Sequence, residues 1–319
     1  MYYRITIITF FILILSQAAY AQGGINLRRP ILPGGSLLQY SKALENQISL
    51  GIAYQHEYLS NPIYGTSSIP NYNKERTDNS TTTLIVSAGI TDKISVSTFI
   101  PYRYILNEKV LFRGQYHNQY EGGLYSRESY GIGDIIVQIN YQFDLFNGRF
   151  PILVGSGLKL ANGKINSKDI YDERINDNLQ VGSGSMDPIF SIYTNEPFGS
   201  FMVSSGLFTR ISTRENIYGY KYGNELHGLA NVDFIGSDYF FGGIQLYYLL
   251  SSRDTYEYGK IARDRGGESV YFSAKLGIKL TDEFDLELIM QNPIYQNLNE
   301  SQLTSSNSIQ IGTLYRFTL

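Results

Sequence analysis

The sequence contains neither cysteine nor tryptophan, and only 17% of its 319 residues are charged. Without cysteine the chain cannot form disulfides, thiolate metal sites, a cysteine nucleophile or a lipidated N-terminal cysteine. A soluble domain usually has about a quarter of its residues charged, so this chain is poor in charge. Its formal net charge of −3 lacks the basic surplus of nucleic-acid-binding proteins. No nucleic acid partner is therefore expected.

Long apolar runs are also missing, except at the start of the chain. Arg4 precedes an apolar run over residues 5–15, and the small residues Ala19 and Ala21 follow it. This is the pattern of a cleaved signal peptide, whereas a membrane-spanning helix needs about 20 apolar residues. The sequence predicts a signal peptide over residues 1–21. Residues 22–45 have no clear periodicity.

The rest of the chain is rich in tyrosine and alternates apolar and polar residues with a period of two. One example has Ile135, Val137 and Ile139 on one face, with Gln138 and Asn140 on the other. Such alternation is typical of β-strands. It predicts about twelve strands, near residues 47–58, 81–91, 93–104, 132–143, 150–161, 186–194, 200–211, 227–236, 239–250, 269–280, 284–294 and 307–319.

The predicted connections alternate between tight turns and long polar loops. Long loops are expected near residues 60–80, 105–129, 162–185, 212–226, 251–268 and 295–306. Short turns at one rim and long loops at the other are typical of outer-membrane barrels, with the short turns in the periplasm. The predicted fold class is therefore all-β, a transmembrane antiparallel β-barrel of about 12 strands. The barrel is expected to span residues 46–319, after a periplasmic N-terminal segment or plug over residues 22–45.

A soluble β-sandwich or lipocalin-like barrel would alternate in the same way. Three features favour the membrane: the apolar faces are almost free of charge, the turn lengths alternate, and the chain ends in an aromatic strand. Aromatic residues are expected to form girdles at the bilayer interfaces. The outer girdle would contain Tyr102, Tyr104 and Tyr248, and the inner girdle Tyr141, Phe143, Tyr315 and Phe317.

Five short motifs occur in a fixed order along the chain. They are 91–102, 131–143 with its Gly131-Ile132-Gly133-Asp134 start, 158–163 followed by 181–187, 281–296, and 314–317. Together they resemble the outer-membrane family named for the MetA pathway of phenol degradation, whose members are commonly labelled transporters. The resemblance implies a relation to channels for fatty acids and aromatic hydrocarbons. It also identifies Gly131, Gly133 and Asp134 as the family motif.

Charged residues on the strands share the polar face. A charge that faces lipid near the midplane costs about 2–4 kcal/mol, so these side chains are expected to point inward. The candidates for lining the lumen are Arg103, Asp134, Lys159, Lys275, Asp285, Glu287 and Arg316. For Asp134, a structural hydrogen bond or ion pair to a neighbouring strand is the alternative to contact with a solute. Inward apolar contacts are expected from Ile136, Phe208 and Tyr271.

Evidence for catalysis or metal binding is weak. A serine hydrolase needs a histidine close to a nucleophilic serine, and the three histidines are expected at the surface: His56, His117 and His227. One cluster of acidic residues lacks the spacing of a calcium-binding loop, and basic residues lie among its members. The cluster contains Asp169, Asp172, Glu173 and Asp177. The sequence therefore predicts no enzyme, no metal site and no cofactor.

The sequence predicts a passive channel or transporter for small, hydrophobic or amphipathic solutes in the outer membrane of a Gram-negative bacterium. Twelve tilted strands give a backbone diameter of roughly 24 Å, which leaves a lumen only several ångströms wide. Membrane lipid, lipopolysaccharide and the outer-membrane assembly machinery are the expected partners besides the solute. The alternatives are a surface adhesin or structural barrel with partner-binding loops and, third, an outer-membrane enzyme.

Overall fold

A computed structural model describes residues 46–113, 122–145 and 150–318. These residues form a closed antiparallel barrel of twelve wall strands. In this part of the chain no helix is long and apolar enough to cross a membrane. The signal peptide and the N-terminal segment, which the sequence predicts over residues 1–21 and 22–45, lie outside the described residues.

The barrel wall has twelve places around its circumference, and it is built from twelve continuous strands. The two sets do not match one to one. The strands are β1 (Gln47–Gly65), β2 (Arg76–Gly89), β3 (Ile94–Leu111), β4 (Gly123–Ile132), β5 (Ile136–Leu145), β6 (Phe150–Lys159), β7 (Asp187–Phe198), β8 (Phe201–Arg210), β9 (Glu225–Phe234), β10 (Phe240–Ser251), β11 (Gly267–Lys279) and β12 (Phe284–Thr318). Strands β4 and β5 share one position, because each pairs with a different part of β3. Strand β12 turns back on itself and so fills two places in the wall.

Strand β12 closes the barrel by a tight hairpin. It runs along β11 as far as Leu298 and returns along β1 from Ser301. The turn places Glu300 at a φ of 51°. At the far end of the return, Thr318 pairs with Gln47 at the start of β1. The first and last wall strands are therefore hydrogen-bonded to each other, and the barrel is closed.

The predicted fold class is confirmed, but several predicted loops are wrong. Much of the regions near 60–80 and 105–129 is strand, and the loop near 295–306 is the hairpin of β12. The strands continue beyond the part of the wall whose outward face is apolar, called here the apolar band. In these extensions both strand faces are polar. On β2, for example, Thr77 and Asn79 are buried while Asp78 and Ser80 are half-exposed. A search for alternating hydrophobicity cannot detect such segments.

The apolar face of the wall points outward, and the polar face points into the barrel. Ile52 and Leu276 are 53% and 52% exposed, whereas Thr304 and Ser269 are fully buried. A soluble barrel would bury its apolar face. The observed arrangement is that of a membrane barrel, whose outward side chains meet lipid.

The predicted inner girdle lies at the short-turn rim, where Tyr141, Phe143 and Tyr315 point outward. The rings of Tyr141 and Phe143 meet edge to face, with their centroids 4.6 Å apart. Tyr102 and Tyr104 also point outward, but they do not end their strand, because β3 continues to Leu111. The wall therefore rises beyond the height of these two tyrosines.

Cysteine labelling tests this two-faced wall. Outward cysteines should react with lipid-phase probes and resist water-soluble thiol reagents, and inward cysteines should do the reverse. The outward positions are Val137, Leu276 and Ile311, and their inward counterparts are Gln138, Lys275 and Gln310. Heat-modifiable gel mobility of each variant controls for folding. Equal labelling of the two sets would contradict the observed facing.

Candidate functional site

A break in the wall between β4 and β5 directs Asp134 into the barrel. Gly131 has a φ of 138°, a conformation that favours glycine. The amide of Gly133 still donates to the carbonyl of Pro101 at 2.8 Å, so the segment stays attached to β3. The Asp134 side chain is only 9% exposed. The break therefore presents one carboxylate to the interior of the barrel.

The connection between β6 and β7, residues 160–186, folds into the lumen and is called here the inserted loop. Ile175, Leu179 and Val181 are each at most 3% exposed. They pack against Leu59 of β1 and Ile105 of β3 in a second apolar cluster. This loop thus crosses the interior from one side of the wall to another and narrows it.

Asp134 holds both ends of the inserted loop. Its carboxylate accepts hydrogen bonds from the amide of Gly163 at 3.0 Å and from the amide and hydroxyl of Ser183 at 2.8 and 2.5 Å. Between these anchors, Gly163 and Gly182 touch through their backbones. A Cβ on Gly182 would lie 2.3 Å from the carbonyl carbon of Gly163, so only glycine fits there.

Charged side chains from the break before β5 and from β6, β7, β8 and β9 form a continuous series, called here the charge ladder: Asp134, Lys159, Asp187, Arg210 and Glu225. The Lys159 Nζ lies 3.0 Å from Asp134 and 2.9 Å from Asp187. Arg210 bridges Asp187 at 2.9 Å and Glu225 at 2.8 Å. Every one of these side chains is at most 9% exposed. Each interior member therefore has a partner of opposite charge on both sides.

The ladder ends at a buried histidine. The Nε2 of His227 lies 3.4 Å from Glu225, and its Nδ1 is hydrogen-bonded to the hydroxyl of Tyr247. The imidazole meets the ring of Phe208 edge to face, with the centroids 5.2 Å apart. His227 is 3% exposed, so the prediction of a surface histidine is wrong. The reason is its inward position on β9, two residues after Glu225.

The ladder and the inserted loop enclose a cavity of about 50 Å³. One water molecule needs a cavity volume of at least about 10–15 Å³, so this cavity has room for only a few water molecules. Arg103 lines it beside the ladder, and Ile136, Ile189 and Phe208 add apolar surface. We call this narrow region the constriction. Arg103 and the ladder together carry three carboxylates and three cations; all of them line the cavity except Asp187, which lies behind the lining between Lys159 and Arg210.

The candidate residues from the sequence fall into separate groups. Arg103, Asp134 and Lys159 line the constriction. Lys275 pairs with Asp233 at 2.7 Å, away from the constriction, and Arg316 pairs with Asp285 at 2.6 Å near the short-turn rim. Glu287 is buried on β12.

Sequence reasoning did not single out Asp187 and Glu225 as candidates. Each begins a strand directly after a loop, so each resembles a loop residue in sequence. A signal was nevertheless available. Each carboxylate lies two residues before a buried inward residue, Ile189 and His227 respectively.

The acidic side chains of the inserted loop stabilise the loop itself and attach it to β4. The Asp169 carboxylate accepts a hydrogen bond from the hydroxyl of Tyr125 at 2.5 Å, and Asp177 forms an ion pair with Arg174 at 2.6 Å. Asp172 binds Lys168 at 2.7 Å. Across the described residues, no group of three or more histidine or acidic side chains is arranged to hold a metal ion.

A neighbouring loop, residues 211–224, supports the inserted loop from the other side. The hydroxyl of Tyr222 donates to the carbonyl of Asp177 at 3.1 Å, and Asn216 donates to the carbonyl of Ser183 at 3.2 Å. Burial, and then the carboxylate of Asp254, raise the pKa of Tyr220 well above its usual value. The Tyr220 hydroxyl donates a hydrogen bond to the Asp254 carboxylate at 2.5 Å.

No protein-family model matches the sequence, and no curated protein is detectably similar to it. Solved structures do match. An outer membrane channel from Pseudomonas putida F1 aligns with 87% of this chain and 98% of its own, at a TM-score of 0.65 and 11% identity. The NanC porin aligns with 84% of this chain and 98% of its own, at a TM-score of 0.47 and 12% identity. The likeness to the Pseudomonas putida structure shows that the fold is an outer-membrane β-barrel.

Proposed function

We propose that the protein is a passive channel for small solutes in the outer membrane of a Gram-negative bacterium. The observation that carries this proposal is the constriction: a closed barrel with lipid-facing walls narrows to a cavity lined by both signs of charge. Export would precede insertion by the outer-membrane assembly machinery, and lipid and lipopolysaccharide would then surround the wall. Membership of the family named for the MetA pathway stays a prediction from the sequence motifs.

The balance of charge in the constriction predicts weak selection between anions and cations. Three cations, Arg103, Lys159 and Arg210, line the cavity with the carboxylates of Asp134 and Glu225. The third carboxylate, Asp187, lies directly behind the lining and pairs with Lys159 and Arg210. A passing ion of either sign meets groups that attract it and groups that repel it. The field therefore polarises the passage without favouring one sign.

The proposed solute is small and amphipathic. Polar contacts would come from the ladder, and apolar contacts from Ile136, Ile189 and Phe208, which line the same cavity. A purely apolar solute would separate buried charges from their partners without replacing those contacts, which is costly. The third predicted apolar residue, Tyr271, lies in an apolar cluster with Phe208.

Passage of an organic solute requires the inserted loop to move. A cavity of about 50 Å³ holds water but not a molecule the size of a benzene ring. Asp134 fastens the loop at its ends. Packing of Leu179 and Val181 on Leu59, and hydrogen bonds from Tyr125 and Tyr222, hold its middle. Partial withdrawal of this segment would widen the lumen while the wall stays intact.

Planar-bilayer recordings of the purified mature protein test the proposal. We expect discrete single-channel currents of low conductance, because the constriction is narrow. Under a potassium chloride gradient, the reversal potential should lie close to zero, because the charges in the constriction balance. Absence of any current would contradict a channel, and a strongly shifted reversal potential would contradict the balanced constriction.

A surface-binding barrel is the second candidate. The nearly closed lumen is one observation in its favour, and the exposed apolar side chains on the long loops are another. Tyr72, Ile217 and Tyr258 are 86%, 83% and 93% exposed. If the recordings show no current and loss of the gene abolishes attachment to a partner without changing solute uptake, this function replaces the channel.

A further inference from the structure

Two adjoining cavities of about 240 and 460 Å³ lie on the long-loop side of the constriction. They share four lining residues, Asn176, Asn178, Asp264 and Arg265, and are called together the vestibule. The smaller cavity is bounded by the inserted loop and by the inner faces of β1, β2, β3, β4 and β12. A solute that enters from the long-loop side would therefore meet the vestibule before the constriction.

Positive charge exceeds negative charge in the smaller cavity. Its carboxylates are Glu75 and Asp264, and each is bound by an arginine that also lines the cavity. Arg127 lies 3.2 Å from Glu75, and Arg265 lies 2.7 Å from Asp264. Lys109 lines the same cavity, and no ion pair joins it to any other described residue. One lysine charge is thus left over.

Unused polar atoms in the vestibule point to a ligand. The Nε of Arg265 and the Oδ1 of Asn178 are buried without a hydrogen-bond partner. Arg127 uses its Nε and Nη2 for Asn107 and Glu75, in contacts that hold its guanidinium in place. A buried donor without a partner is costly, and a carboxylate would accept a hydrogen bond from the Nε of Arg265. The Oδ1 of Asn178 is itself an acceptor and would need a donor instead.

The cavity also offers apolar surface beside its cations. The half-buried Leu303 lines it together with the edges of the buried Leu59 and Leu179, and Lys109, Arg127 and Arg265 are among its other lining residues. A ligand that fits both the surplus cation and the apolar surface would carry one negative charge and a compact apolar body. A single surplus cation fits a carboxylate better than phosphate, which carries more charge near neutral pH.

We propose that the vestibule binds a small amphipathic monocarboxylate, with its carboxylate at Lys109 and its apolar part against the three leucines. The inference deepens the proposed function by naming a substrate class for the channel. It rests on the proposed channel function only in calling the bound molecule a substrate. Binding to the vestibule itself can be measured without any current. The two proposals therefore fail separately.

Fluorine NMR of para-fluorobenzoate, added to the full mature protein in detergent micelles, tests the proposal. We expect saturable line broadening by the protein and much weaker broadening of the neutral para-fluorobenzamide. Lys109→Gln should weaken fluorobenzoate binding about fivefold, the scale of a partly exposed ion pair. Lys109→Arg should restore binding. The matched control Lys93→Gln removes a lysine at the opposite rim, where Lys93 lies 3.7 Å from Asp144, and should bind like the unchanged protein.

Heat-modifiable mobility establishes that each variant is folded before its binding is compared. Equal broadening of the acid and the amide would overturn the proposal, because charge would then play no part. Unchanged binding by Lys109→Gln would also overturn it. Displacement by inorganic phosphate as effective as that by unlabelled benzoate would show recognition of charge alone and refute the monocarboxylate. Loss of binding in Lys109→Gln with retention in Lys93→Gln supports it, whether or not the protein conducts.

Discussion

Deletion of residues 165–181 should raise the single-channel conductance severalfold. This stretch supplies Ile175, Leu179 and Val181, which fill the lumen against β1 and β3. The two ends of the deletion are already in contact, because the amide of Gly182 donates to the carbonyl of Lys164 at 2.9 Å. Two glycines can therefore join Lys164 to Gly182, and the anchors at Asp134 remain.

The control for this deletion changes only the exposed tip of the same loop. Ile170 is 71% exposed, and the side chain of Asp172 is 84% exposed. Glycine at both positions should leave the conductance unchanged in the same planar-bilayer recordings. An unchanged conductance in the deletion variant would mean that the inserted loop does not limit the current and that the constriction lies elsewhere.

Arg210→Met should lower the free energy of unfolding by about 3–5 kcal/mol, the usual cost of breaking a buried ion pair from one side. The substitution removes the guanidinium that bridges Asp187 and Glu225. Asp187 keeps Lys159 as a partner, whereas Glu225 keeps only His227. Urea unfolding of the protein reconstituted into vesicles measures the effect. Adding Glu225→Gln should recover part of the loss, because the more isolated charge is then removed.

Arg76→Met is the matched control for the ladder. Arg76 binds Glu108 at 2.6 Å, but its side chain is 50% exposed. An exposed pair contributes about 0–1 kcal/mol, so this substitution should barely change the unfolding curve. Similar small losses for both variants would mean that the ladder is better solvated than its burial indicates.

The strands were predictable because lipid imposes a strict rule on one face of the wall. A charge facing the bilayer is costly, so residues such as Ile139 and Leu276 alternate with polar partners along the whole apolar band. Above that band the rule no longer applies. Segments such as 105–111 and 123–130 look like loops in sequence although their backbones pair, because backbone hydrogen bonds leave no pattern in the side chains.

The inserted loop could not be predicted, because its contacts join distant parts of the chain. Ile175, Leu179 and Val181 follow no strand period, and their partners Leu59 and Ile105 lie far away in sequence. The sequence placed a possible plug at residues 22–45, and that prediction remains untested. For Asp134, the structure shows the ion pair to a neighbouring strand that the sequence analysis gave as the alternative, with Lys159 of β6 as its partner. The hydrogen bonds that Asp134 accepts from both ends of the loop had no signal in the sequence.

The uneven lengths of the wall strands have a consequence for the cell surface. Strands β1 and β3 have 19 and 18 residues, whereas β6 and β8 have 10 each. At roughly 3.3 Å per residue and the usual tilt, the longer strands stand about 20 Å higher. In an outer membrane, this taller side would reach into the saccharide layer of the lipopolysaccharide. Antibodies and phages that approach the bacterium would touch it first.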